Sequence, residues 1–350
     1  MVETVTVTFS MCGEEYMITI KDVAKEVNVS VTTISRVLNN KPDVSEATKK
    51  KVEKAIEKMG YNPNKIAQGL VLKKSNSIGL IIPDINNPFF PELIKGVERT
   101  AKKLGYSLIL CNTDNDKIEE KESIFLLRSK QVDGIILSLS LENKEALKEL
   151  EKERYPIVQI DRRIKDSIYP AITIDNKKSA YIATEYLIKQ GHRKIGHITG
   201  DLSTETAINR FKGFRQALKD HNISYKKEWL LEGDYSIESG KEMMENIIKL
   251  KNRPTALFLA NDLMAFGAYE TIFKYNYSIP EDFSIIGHDN IEITSFVKPG
   301  LTTMDQPKYR LGEIAAKNLI KIIENKDKSA FRNVILKNAM IVRDSIKPLQ

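Results

Sequence analysis

Three short apolar faces open the patterned part of the chain. Val23, Ala24 and Val27 lie on one helical face behind Thr19, which forms a capping-box spacing with Asp22. In the next stretch, "NVSVTTISRVLNN" (28–40), Val29, Ile34, Val37 and Leu38 recur at helical spacing and not in strand alternation. Its β-branched residues make it a poor helix on propensity alone, so packing must hold it. Ser30 reads as the N-cap of a helix over 31–38, with Thr32, Thr33, Ser35, Arg36 and Asn39 on the outer side. Ser45 caps a third helix, which places Val52, Ala55, Ile56 and Met59 on one face and is closed by Gly60. Helix, tight turn, helix and supporting helix is the helix-turn-helix order.

After Asn-Pro-Asn at 62–64 comes a weak helical segment, 64–72, weakened further by Gly69, and then a Ser/Asn/Lys linker over 73–77. From Ile78 the pattern changes. Apolar runs at 78–82, 107–111, 134–138, 157–160, 171–174, 195–199, 255–259 and 283–287 read as buried strands. Amphipathic stretches such as 91–104, 117–130, 176–190, 207–220, 239–250 and 262–274 read as helices between them. Repeated strand–helix units call for parallel sheets flanked by helices, and the length calls for two α/β lobes. Such sheets bind ligands beyond the carboxyl ends of their strands.

The loops that follow strands carry the candidate chemistry. Phe89 and Phe90 begin a helix after the first strand, and Asp161-Arg162-Arg163 ends another strand. "GDLSTETAINRF" carries Thr206 and Arg210, "EGDYS" carries Tyr235, and two further loops carry Asn261, Asp262, Asp289 and Asn290. Aromatic faces beside amides, carboxylates and an arginine suit a small polar ligand with apolar ring faces, such as a sugar or a nucleobase. Signatures of catalysis are missing. There is no phosphate loop, no dinucleotide glycine motif and no H-E-x-x-H, and His192, His197, His221 and His288 lack metal-ligand spacing. The expectation is therefore no enzyme, no catalytic residue, no cofactor and no metal.

Charge sharpens the division. Residues 17–75 hold 12 Lys/Arg against 6 Asp/Glu, so this stretch carries most of the net +7 of the 350-residue chain, as expected of a phosphate-binding module. A hydrophobic share of 41% without any long apolar run fits a globular chain and predicts no membrane partner. Two distant cysteines, Cys12 and Cys111, argue against a disulfide framework and fit a reducing cytoplasm. Residues 1–16 match no element and are expected to be a disordered tail or a mis-assigned start.

From Met17 to Ser345 the chain resembles the lactose-repressor-like (LacI/GalR) family of bacterial transcription regulators. The resemblance rests on ordered motifs: "ITIKDVAKEVNVSVTTISRVLN", "VSEATKKKVEKAIEKMGYNPNKIAQGL", "IGLIIPDINNPFFPELIKGVE", "VDGIIL", "GHRKIGHITG", "RFKGFRQAL", "RPTALFLANDLMAFGA", "IPEDFSIIGHDN", "PGLTTMDQP" and "VRDS". It implies a helix-turn-helix domain over 17–63, a hinge helix and linker over 64–77, and a two-lobed core over 78–350 resembling periplasmic binding proteins. The N-lobe would take about 78–173 plus 304–330, and the C-lobe 174–303 plus 331–346. By position, Val31, Thr32, Thr33, Ser35, Arg36 and Asn39 fall where the family's recognition helix meets the major groove and nearby phosphates. Thr19, Ser30, Asn64 and Ala67 complete the implied DNA-facing set, and Leu70 falls at the hinge leucine that wedges into the minor groove.

In the core, Phe89, Phe90, Asp161, Arg162, Thr206, Arg210, Tyr235, Asn261 and Asp289 fall at effector-contacting positions, while His288 departs from the usual aromatic. The resemblance implies a cytoplasmic repressor, a homodimer on palindromic double-stranded operator DNA, controlled by a small effector. A sugar is expected; a purine or a phosphocarrier protein is the alternative, and a solute-binding protein without regulatory role is the rival class. The chain leaves no room after "VRDS" for a tetramerising leucine repeat, which favours a dimer.

Overall fold

The computed structural model describes residues 18–38, 42–61, 74–139, 144–164, 166–325 and 332–349. The expectations for residues 1–16 and for Asn39, Asn64, Ala67 and Leu70 lie outside the described residues. The chain divides into two compact units, with the division between residues 73 and 74.

In the first unit, helices α1 (Ile20–Glu26), α2 (Val31–Leu38) and α3 (Glu46–Met59) enclose a small core of Val23, Ala24, Val27, Ile34, Val37, Val52 and Ala55. Each helix begins on a side-chain cap. The Asp22 carboxylate accepts from the Thr19 backbone N–H at 2.8 Å and its hydroxyl at 2.7 Å. Ser30 Oγ accepts from Thr33 N–H at 3.0 Å, and Ser45 Oγ from Thr48 N–H at 3.2 Å. Gly60, at φ 65°, ends α3 in the left-handed conformation that glycine adopts most easily. Ile34 is fully buried and Val37 nearly so. Burial of such side chains stabilises by about 1.5–3 kcal/mol each, whereas β-branched propensity costs only tenths to about 0.7 kcal/mol per residue, so packing decides α2.

The second unit holds two six-stranded sheets. The first runs β11–β5–β4–β3–β1–β2, all parallel, from β1 (Ser77–Ile82), β2 (Ser107–Asn112), β3 (Gly134–Leu137), β4 (Ile157–Ile160), β5 (Ala171–Ile174) and β11 (Val334–Leu336). Helices α4 (Phe89–Lys103) and α11 (Lys308–Asn325) cover one face, and α5 (Lys117–Ser129) and α6 (Lys144–Lys152) the other. The second sheet runs β12–β10–β9–β8–β6–β7, from β6 (Ile195–Thr199), β7 (Leu230–Glu232), β8 (Ala256–Leu259), β9 (Ser284–Asp289), β10 (Thr302–Asp305) and an antiparallel edge strand, β12 (Ala339–Ile341). Its faces carry α7 (Asn176–Lys189) with α8 (Glu205–Asp220), and α9 (Ile237–Ile248) with α10 (Asp262–Lys274). Strands buried on both faces read as unbroken apolar runs, which is why the sequence pattern located them.

The lobe boundaries differ from expectation at both returns. β10 pairs with β9 as far as Asp305, so the second sheet extends past 303. β11 pairs with β5, which places 334–336 in the first sheet and not in the C-lobe; the chain crosses to the second sheet only at 337–338. The hinge-and-linker range also ends early. Ser75 already donates its backbone N–H to Asp133 Oδ1 at 2.9 Å and β1 begins at Ser77, so 74–77 belong to the core unit.

Three helix pairs touch backbone to backbone through glycine, one of them α7 and α8, where a Cβ on Gly213 would lie 2.0 Å from the Lys177 carbonyl oxygen. A Cβ on Gly96 would lie 2.1 Å from the Tyr309 carbonyl oxygen, and one on Gly312 would lie 2.1 Å from that of Leu93, locking α4 to α11. Gly240 and Gly267 do the same for α9 and α10, where added Cβ atoms would lie 2.2 Å from Met264 O and 2.0 Å from Ile237 O.

Candidate DNA-binding and effector sites

On the helix-turn-helix unit, Thr19, Ser30, Val31, Thr32 and Arg36 are exposed, and Thr33 and Ser35 are half-buried. The apolar face of α2 is turned inward, so its small hydroxyl side chains and Arg36 form the outer surface. Arg36 reaches Asp43 at 3.0 Å in an exposed ion pair, a contact of the kind worth at most about 1 kcal/mol and easily exchanged for a phosphate or base.

Within the core unit, a cleft of about 410 Å³ opens at the carboxyl ends of strands from both sheets. All nine residues expected to meet an effector line it. Phe89 and Phe90 start α4 and meet edge to face, with ring centroids 5.0 Å apart. Asn87 turns the chain there, its Oδ1 accepting from Phe89 N–H and its carbonyl from Phe90 N–H, both at 3.0 Å. Asp161 and Arg162 directly follow β4, and Arg162 donates to Asn115 Oδ1 at 3.0 Å. Thr206 sits in the first turn of α8, with Arg210 one turn on and almost completely buried. Arg210 Nε donates to Asn176 Oδ1 at 2.9 Å and Nη1 donates to the Ala260 carbonyl, which fixes the guanidinium from two sides. The Tyr235 hydroxyl lies 3.2 Å from Thr204 Oγ1, while its carbonyl accepts from Asn261 Nδ2 at 2.9 Å; Asn261 Oδ1 caps α10 by accepting from Met264 N–H at 3.0 Å. Gly200 leaves room for this ring, because a Cβ there would fall 2.0 Å from Tyr235 Cζ.

Three of these residues hold positive φ: Asp161 at 60°, Tyr235 at 73° and Asp289 at 124°. Such conformations cost on the order of 1–3 kcal/mol each and cluster where a fold aims side chains at a ligand. The electrostatics follow from burial. It pushes the Asp161 carboxyl up to about 6, against the pull of Arg162 and Arg210. Burial also raises Asp289, opposed by Arg210, the Gln306 hydrogen bond at 2.6 Å and Lys308. His288, wholly buried beside it, is held well below its ordinary value by burial and by the Arg210 and Lys308 cations, and is neutral.

Two sequence candidates do not reach the cleft. Asp262 is buried, its carboxylate accepting from Thr303 Oγ1 at 2.6 Å and Ile291 N–H at 3.0 Å. Asn290 bonds Asp305 and Arg343, both at 2.9 Å. Conversely, Asn87, Asn115 and Gln306 line the cleft without having been singled out; each stands in or beside a turn after a strand, the one signal available. Gln306 Oε1 is buried and accepts no hydrogen bond among the described residues. Seven carboxylates face the cleft against two guanidiniums, yet among the described residues no group of His, Cys, Asp or Glu is arranged to hold a metal ion.

Residues 19–64 match the model for bacterial regulatory proteins of the lacI family, and 75–343 match that for periplasmic binding proteins and the sugar binding domain of the LacI family. The chain belongs to the LacI family. Its LacI-family relatives include the HTH-type transcriptional repressor PurR of Aliivibrio salmonicida, 40% identical over 312 residues that span 89% of this chain and 93% of the relative. Among solved LacI-family structures, the lac repressor dimer bound to operator and the anti-inducer ONPF aligns with a TM-score of 0.85 at 26% identity, covering 94% of this chain and 99% of the other. A LacI family transcriptional regulator from Enterococcus faecium with bound ribose aligns at 0.71 with 32% identity, covering 78% of this chain and 100% of the other. This LacI-family chain is an effector-controlled, DNA-binding transcriptional repressor, with a helix-turn-helix unit followed by a two-sheet α/β core. No helix among the described residues is long and apolar enough to cross a membrane.

Proposed function

We propose that the effector is a small neutral sugar of the ribose class, and that its binding shifts the affinity of a cytoplasmic homodimer for a palindromic operator. The observation that carries this reading is the buried Arg210 guanidinium, set with Asp161 and Asp289 in a cleft that also presents the Tyr235 and Phe90 rings. Sugar hydroxyls donate to carboxylates and accept from guanidinium at once, and sugar C–H faces lie against aromatic rings. Gln306 Oε1 offers a further acceptor that a hydroxyl can fill. The excess of carboxylates disfavours a phosphate ester. The ribose-bound relative supports the same class of ligand.

Thr19, Ser30, Val31, Thr32, Thr33, Ser35 and Arg36 form the DNA-reading surface on this reading, completed by Asn39, Asn64, Ala67 and Leu70 through the family resemblance. The second copy docks on apolar surface that the fold leaves open, including Ile118 and Phe125, seven residues apart on one face of α5 and 69% and 76% exposed. The cleft binds its sugar without turning it over; recovery of unchanged ribose after incubation checks this. Lobe closure on the sugar favours one of two core arrangements, and operator affinity follows by linkage.

A mobility-shift titration on the DNA upstream of the chain's own gene, with ribose, with a purine base and with neither, tests the reading. A specific shift altered by ribose supports it. A specific shift altered only by the purine moves the effector to the other class, and the lack of any specific shift defeats the operator assignment.

A further inference from the structure

Three connections join the two sheets of the core, and each carries one amide side chain linked, directly or through intermediaries, to a residue that lines the cleft. Asn176, following β5, accepts from Arg210 at 2.9 Å. Gln306, following β10, donates to Asp289 at 2.6 Å. Asn338, between β11 and β12, lies outside the cleft lining and reaches it through two intermediaries. Its Nδ2 donates to Ser179 Oγ at 2.6 Å, Ser179 Oγ lies 2.8 Å from His288 Nε2, and His288 Nδ1 lies 3.3 Å from Asp289 Oδ1.

One direction joins all four groups. In it Ser179 accepts from Asn338 Nδ2 and gives its own proton to His288 Nε2, the arrangement in which each hydrogen bond points towards Asp289. A neutral imidazole that accepts at Nε2 carries its proton on Nδ1, where it faces the Asp289 carboxylate at 3.3 Å, with the Gln306 amide nitrogen, which would favour the other tautomer, 3.4 Å away. Ser179 and His288 are completely buried, and neither touches the cleft.

We propose that Ser179 and His288 are positioning residues that tie the effector-facing carboxylate of Asp289 to the third interlobe connection at Asn338, so that the grip on the effector and the arrangement of the lobes are set together. The proposal rests on the reading of Asp289 as an effector contact. A purely structural role would predict a stability loss alone, since any buried polar group needs a partner. A relay predicts more. When the lobes move, Asn338 moves with the connection, and the orientation of His288 changes at the far end of the chain.

The test compares the full-length protein with N338A, H288F and the double variant, reading operator affinity with and without ribose. N338A should leave ribose-free operator affinity within about twofold, yet shrink the ribose-induced change by about fivefold or more. The double variant should be no worse than H288F alone, because links of one chain do not add. An unchanged ribose response in N338A, or losses that multiply in the double variant, overturns the relay. A second arm needs no effector. NMR of nitrogen-labelled histidine should find His288 with its proton on Nδ1 in the wild type and shifted towards Nε2 in S179A. The same tautomer in both overturns the chain. Failure of the wild type to bind ribose counts against the effector assignment alone, and the tautomer result then decides the relay.

Discussion

Replacing Arg210 by lysine separates the charge of the site from its geometry. The guanidinium has five N–H groups, of which Nε–H holds Asn176 Oδ1 and one Nη1–H holds the Ala260 carbonyl. Three remain for a ligand. An ammonium at the end of a flexible stem keeps the charge, but it cannot reach Asn176, Ala260 and a sugar hydroxyl together. Losing one charge-assisted hydrogen bond costs about 1.5–3 kcal/mol, which is roughly a tenfold to hundredfold rise in the effector dissociation constant. One buried acceptor also loses its partner, for a stability loss of about 1–2 kcal/mol, or several degrees in Tm for a unit of this size. Isothermal titration with ribose and thermal unfolding read the two effects separately. The pH profile of binding should stay in place in R210K, because Asp161 and Asp289 keep a cation beside them. In R210M it should move to higher pH as both carboxyls rise further. Ribose affinity within twofold of wild type in R210K, or an unmoved profile in R210M, refutes the assignment.

Three further outcomes are expected. The raised Asp161 and Asp289 carboxyls contribute stability that is complete below the unfolded value near 3.8 and is lost as pH rises through about 6. Sugar hydroxyls prefer the ionised forms, so the ribose-induced rise in Tm should grow from about pH 5 to neutrality; a rise largest in acid would contradict the pKa order. Phe125→Glu should yield a monomer in light scattering and lose cooperative operator binding, whereas a dimer of wild-type affinity would place the interface elsewhere. Arg36→Ala should weaken specific operator binding by about 1–3 kcal/mol while relaxing preference at one base; an even loss across sequences would assign Arg36 to phosphate.

The periodicities that located the elements are those burial imposes. Ile34 and Val37 face inward in α2, and runs such as 134–137 and 157–160 are buried on both sides, so each left an unambiguous mark in the sequence. The cleft-lining residues were legible because parallel strands deliver their following loops to one edge. What stayed hidden was short or long-range. Val334–Leu336 and Ala339–Ile341 are three-residue edge strands with Ile335 and Ala339 exposed, too brief and too open for alternation to show. Asp262 looked like Asp289 in sequence, each two or three residues beyond a buried apolar run. Only the fold distinguishes them, by supplying the Thr303 hydroxyl and the Ile291 N–H to the first. Asn338 gave no local signal at all, since its partner Ser179 lies 159 positions away.

The glycine contacts between α4 and α11, and between α9 and α10, have a mechanical consequence. Helices whose backbones touch cannot slide or bend against each other without collision, so each lobe acts as a stiff lever, and compliance is left to the three short connections. Work done by a ligand in the cleft is then delivered to those connections with little absorbed inside the lobes. The sensitivity of the repressor can accordingly be tuned at 174–176, 305–308 and 336–339 without rebuilding either core, whereas an alanine at Gly96 or Gly312 would soften the lever itself.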